Sequence, residues 1–97
     1  MRLTESQIQT INTLSKEHFG NEIKIYLFGS RTDNNAKGGD IDLLLLSQKK
    51  VPKDKLRQFR INFYKKFGWQ KIDLVNFTFE ENTAFKQIAL SNSILLE

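Results

Sequence analysis

The chain has 97 residues, a length suited to one domain with a modest core. It holds no cysteine and one histidine, which excludes disulfides, thiolate chemistry and any metal site built from those side chains. A metal here needs oxygen ligands and must be a hard ion such as Mg²⁺ or Mn²⁺, and a net charge of +4 suits anionic ligands such as nucleotides or RNA but equally an ordinary lysine-rich surface.

Thr4-x-x-Gln7 reads as a capping box that opens a helix over 5–19, with Ile8, Ile11, Leu14 and either His18 or Phe19 at helical spacing. Gly20 suits a left-handed stop. "EIKIYLF" alternates and predicts a strand over 23–28 that ends at Gly29. After a loop carrying "DNN" and "KGG", "DIDLLLL" predicts a second strand, apolar on both faces and therefore central. Pro52 opens a second helix striped by Leu56, Phe59, Phe63 and Phe67 and closed by Gly68. "QKIDLVNF" predicts a third strand, and Phe85, Ile88 and Ala89 mark a helix over 81–91 with Asn92 as a left-handed cap. "SILLE" is then a short extended tail.

The order α-β-β-α-β-α predicts an α+β fold, a small mixed β-sheet with helices, and the absence of repeats or linkers makes 1–97 one domain. No apolar run approaches the roughly 20 residues of a membrane span, and "MRLTESQIQT" has no signal-peptide core, so the expected location is the cytoplasm. Lys53, Lys55, Arg57, Arg60, Lys65 and Lys66 read as a solvated helix face, with RNA as the alternative partner. Trp69, Phe77 and Phe79 read as core, with a partner-binding surface as the alternative.

The chemistry concentrates in "LFGSRTDNNAKGGDIDLLLL". Residues two apart on a strand share a face, so Asp40 and Asp42 aim together, about 6–7 Å apart along it. Two held carboxylates repel unless a positive charge lies between them. Asp73, in the similar frame "KIDLV", joins them if the second and third strands are neighbours. Three acids without His or Cys describe an oxygen site for one or two Mg²⁺. Gly29 lets backbone N–H groups approach a phosphate, Ser30 adds a hydroxyl at a helix opening, and Arg31 a charge-assisted contact. Alone, a D-x-D or a Gly-Ser is weak; the ordered combination is informative. An EF-hand starting at Asp33 fails, because Lys37 and Leu44 stand where ligands are needed. A Walker-A loop fails for want of Gly-Lys-Ser/Thr after Gly29.

"GSRTDNNAKGGDIDLLL" together with Asp73 resembles the signature of the minimal nucleotidyltransferases (MNT) of the DNA polymerase β-like superfamily. Gly29 and Ser30 match its first element, Asp40 and Asp42 the second, Asp73 the third, and Arg31 the common Gly-Ser-Arg form. The loop is richer in Asn than in many relatives, and Gly39 takes a place often held by Ser. The resemblance implies transfer of AMP from ATP to an acceptor hydroxyl. Asp40, Asp42 and Asp73 would bind the metal and Asp73 help deprotonate the acceptor, while Gly29, Ser30 and Arg31 hold phosphates. It further implies an HEPN-domain protein as partner and acceptor, the pair forming a toxin–antitoxin system; the alternative is an antitoxin that acts by contact alone. A second copy of the chain is a further candidate partner.

Overall fold

The computed structural model describes residues 3–29 and 40–96. Its elements are α1 (Glu5–Phe19), β1 (Lys24–Phe28), β2 (Ile41–Ser47), α2 (Lys53–Phe67), β3 (Ile72–Thr78), α3 (Ala84–Ser91) and β4 (Ile94–Leu95). The strands form one sheet in the order β3-β2-β1-β4. β1 runs antiparallel to β2 and β4, and β2 runs parallel to β3. The expected α+β class holds, and the extended tail is incorporated as an edge strand, with Tyr26 opposite Leu95 and Leu27 opposite Ile94. Among the described residues, no helix is long and apolar enough to cross a membrane.

The α1 start forms as its spacing predicts. Gln7 N donates to Thr4 Oγ1 at 3.0 Å, and Thr4 N donates back to Gln7 Oε1 at 2.9 Å. Gly20 ends the helix at φ +92°, and Gly20 N still donates to Lys16 O.

Alternation sorts the strand side chains onto two faces. Ile25, Leu27, Ile41, Leu43, Leu45 and Ile72 pack with Ile11 and Leu14 of α1 and with Phe59 and Phe63 of α2. Leu44 and Leu46 face the other way, where Ala89 and Leu90 of α3 join Tyr26, Phe28 and Phe77. β2 is therefore apolar on both faces because helices lie on both. Of the basic residues of α2, Lys53, Lys55, Arg57, Lys65 and Lys66 are exposed and Arg60 is half-buried.

Asn76 ties three segments together. Its Oδ1 accepts from Val51 N at 2.7 Å, and its Nδ2 donates to Leu45 O and Ser47 Oγ at 3.1 and 3.0 Å. Asn76→Ala strands these partly buried groups, and chemical denaturation is expected to show a loss of about 1–3 kcal/mol. A loss below about 0.5 kcal/mol would contradict this assignment.

Three expectations are corrected. α3 starts at Ala84, not 81, because Thr78 and Glu81 bond each other: Thr78 N donates to Glu81 Oε1 and Glu81 N to Thr78 Oγ1. Thr83 then caps the helix by accepting from Lys86 N. Asn92 is not left-handed, at φ −118°; side chains close the helix instead, with Asn92 Nδ2 donating to Ile88 O and Ser93 Oγ to Leu90 O. Trp69 and Phe79 are not core: Trp69 is 79% exposed and Phe79 41%. Both lie in loops outside the two apolar clusters, whereas Phe77, within β3, packs on the α3 face.

Candidate active site

The two parallel strands β2 and β3 begin at the same sheet edge, and antiparallel β1 ends there. Asp42 is the Cα partner of Asp73 on one side and of Phe28 on the other. Partners on adjacent strands direct their side chains to the same face, so Asp42 and Asp73 both point to the side that carries α3. The acid at 73 is thus brought beside the acid at 42 by register, although 31 positions separate them in the chain.

Asp40 lies one residue before β2 and is half-exposed, with Lys71 Nζ 3.4 Å from its Oδ2. Asp42 and Asp73 form a close pair, and the third acid is turned to a lysine. Among the described residues, no three acidic or imidazole side chains stand as a closed metal-binding group.

Electrostatics record the crowding. The Asp42 carboxyl holds its proton above the usual carboxylate range. Burial is the main cause, followed by the charge of Asp73 and a shared hydrogen bond with it, then the charge of Asp40, while Lys71 opposes them. The Lys71 ammonium is in turn held charged by Asp40 first and by Asp73 and Asp42 more weakly.

Folding therefore tightens the Asp42 proton, so this residue's contribution to stability is lost as pH rises from the ordinary 3.8 through the raised folded value. In EDTA, Asp42→Asn is expected to melt above the wild type at about pH 7, by about 4–8 °C for each kcal/mol relieved. The difference should vanish as the pH falls to about 4. A variant that melts lower at neutral pH contradicts the crowding.

Gly29 completes the edge. It has φ +77°, and a Cβ built there would lie 2.4 Å from Asp42 Oδ2. Only a residue without a Cβ permits both the backbone conformation and this approach. Of the expected phosphate-binding residues, Gly29 is placed against Asp42. Ser30 and Arg31, and the loop up to residue 39, lie outside the described residues.

The family model for the polymerase beta nucleotidyltransferases matches residues 9–97. The chain belongs to that family. No curated protein matches this nucleotidyltransferase significantly in sequence. Solved structures do match its fold. One is described as a tri-AMPylated Shewanella oneidensis HEPN toxin in complex with MNT antitoxin; it is 19% identical with a TM-score of 0.71, covering 98% of this chain and 72% of that one. A toxin–antitoxin structure with AMP-PNP is 20% identical, TM-score 0.72, covering 93% and 72%. A toxin–antitoxin MntA-HpeT mutant with two Asp-to-Glu changes is 18% identical, TM-score 0.72, covering 93% and 71%. At these identities the likeness establishes the nucleotidyltransferase fold.

Sequence reasoning missed two residues around this edge of the nucleotidyltransferase and one at the far end of β3. Lys71 pairs with Asp40 across the two strand starts. Phe28 read only as a strand residue, and its place beside Asp42 follows from antiparallel register. Lys86 carried no signal. It is buried, and its ammonium donates to Thr78 O, Phe79 O and Glu81 O, which fastens α3 to the end of β3.

Proposed function

We propose that this nucleotidyltransferase moves AMP from ATP to a hydroxyl on a partner protein, and that it is the MNT antitoxin of an HEPN/MNT pair. The observation that carries the reading is the in-register pair Asp42–Asp73 with the Gly29 backbone pressed against Asp42. The descriptions of similar structures, an AMPylated HEPN toxin bound to MNT antitoxin and a toxin–antitoxin with AMP-PNP, support the choice of nucleotide and partner.

The donor set fits a hard divalent cation: Asp40, Asp42 and Asp73 offer carboxylate oxygens, and the charge of Asp73 and Asp40, which adds to burial in raising the Asp42 pKa, is what a cation offsets. When bound, one or two Mg²⁺ supply charge neutralisation for the triphosphate and the departing pyrophosphate. Asp40 would leave Lys71 to join them. Asp73 accepts the proton of the acceptor hydroxyl, whose oxygen bonds to the α-phosphorus as the bond to the β-phosphate oxygen breaks. Gly29, with Ser30 and Arg31, holds the β- and γ-phosphates.

Incubation with α-labelled ATP, Mg²⁺ and a partner HEPN protein is expected to label that protein, and Asp42→Asn to abolish the label. A second reading, inhibition by contact alone, is favoured by the exposed Trp69, Phe79, Phe85 and Ile88. It predicts that Asp42→Asn neutralises the toxin as well as the wild type does. Absence of label with the wild type would exclude transfer to that partner.

A further inference from the structure

On the α3 face of the sheet, an apolar pocket of about 270 Å³ opens between Phe28, Gly29, Phe85, Ile88, Ala89 and Asn92. Its position follows from register. Phe28 is the strand partner of Asp42, and opposed side chains on one face stand about 5 Å apart. Gly29 belongs to both places: it lines the pocket, and it touches the Asp42 carboxylate so closely that a Cβ would collide with it. Pocket and acids thus share one wall.

The pocket is held open by its own packing. The Phe85 ring meets Phe28 edge-on at 6.4 Å between centroids and Phe77 at 5.8 Å. Lys86, one position on, fastens the start of α3 to the carbonyls of Thr78 and Phe79 at the end of β3. Even so, Phe85 is 53% exposed and Ile88 65%. At the rim, Asn92 donates through Nδ2 to Ile88 O and Ser91 Oγ, which leaves its amide oxygen as an acceptor for an incoming donor.

Three features decide the occupant. A ligand anchored by its phosphates beside Asp42 reaches the pocket within its own length, because the two regions meet at Gly29. The volume lies just below the roughly 300–1,000 Å³ of clefts for drug-sized ligands, which suits one flat ring system. Aromatic and aliphatic walls with one amide acceptor suit a heteroaromatic ring that carries an exocyclic amine.

We propose that this pocket seats the nucleobase of the triphosphate, stacked against Phe85 and Ile88, with Asn92 Oδ1 accepting from the exocyclic amino group. The proposal rests on the nucleotidyltransferase reading of Asp42 and Asp73 and adds the part of the substrate that those acids do not touch.

Calorimetric titration in Mn²⁺ with three probes tests it: a non-hydrolysable ATP analogue, the corresponding inosine analogue, and inorganic triphosphate. The wild type should bind the ATP analogue more tightly than either of the others. Phe85→Ala and Ile88→Glu, each checked by a thermal melt to be folded, should each weaken the ATP analogue about tenfold and leave inorganic triphosphate unchanged. An unchanged affinity for the ATP analogue, or an equal loss for both, overturns the proposal. If the wild type binds inorganic triphosphate as tightly as the ATP analogue, the acid site stands and the base pocket falls; if it binds none of the probes, the nucleotidyltransferase reading itself fails. Sedimentation on the same samples covers the remaining occupant. A wild-type dimer that Ile88→Glu dissociates, with affinity for the ATP analogue retained, assigns the face to a second copy and overturns the proposal.

Discussion

Gly29→Ala is expected to lower nucleotide transfer by about two orders of magnitude while the protein stays folded. The added methyl would stand 2.4 Å from Asp42 Oδ2, closer than any real Cβ contact, and the neighbour that must yield is a carboxylate of the candidate active site. Moving Asp42 separates it from Asp73, and a displacement of about 1 Å at a reacting centre is enough for such a loss. The backbone adds a cost of about 1–2 kcal/mol, because Gly29 sits at φ +77°, where an L side chain crowds the following carbonyl. The two effects separate in measurement. A thermal melt should fall only modestly, whereas kcat/KM for AMP transfer should collapse. Activity within about threefold of the wild type would show that the Gly29–Asp42 contact has no part in the chemistry.

Asp73→Asn is expected to reduce transfer by about 10²–10⁴-fold, the usual scale for loss of a positioned proton acceptor. Asp42→Asn should fall at least as far, and the double variant little further, because groups that act as a unit are non-additive. The stability change carries the opposite sign. Asp42 and Asp73 press on each other, so removing either charge from the metal-free protein should raise its melting temperature at neutral pH. A divalent cation should raise the wild-type melting temperature and leave that of Asp42→Asn nearly unchanged. Acids kept for structure would behave the other way, losing stability on substitution and leaving transfer intact.

Much of this architecture is legible in short-range pattern. Thr4 and Gln7 announce α1, the phenylalanine stripe announces α2, and the continuous leucines of β2 announce a strand covered on both faces, because each signal arises within a few residues. The nucleotidyltransferase signature adds the order of the acids. What spacing alone leaves open is which strands touch and in what register, and that is where the site's detail lies. The Asp42–Asp73 pairing depends on β2 and β3 being parallel neighbours. The ion pair of Lys71 with Asp40 instead of Asp73 is set by where each residue sits relative to its strand start. Trp69 and Phe79 could not be placed by hydrophobicity, since an aromatic in a loop has the same composition whether it is covered or open. Asn92 shows a local limit: a left-handed cap and side-chain capping by Asn and Ser both satisfy the last carbonyls of a helix, and only the backbone angles decide between them.

The most direct test of the central claim is a crystal structure of the protein with Mn²⁺ and a non-hydrolysable ATP analogue, with the metal located by its anomalous scattering. The prediction is an anomalous peak between the carboxylates of Asp42 and Asp73, with Asp40 turned from Lys71 towards it and the phosphates lying on the Gly29 backbone. A peak elsewhere on the protein, or a bound analogue whose phosphates avoid this sheet edge while Asp42 and Asp73 remain hydrogen-bonded to each other, would contradict it.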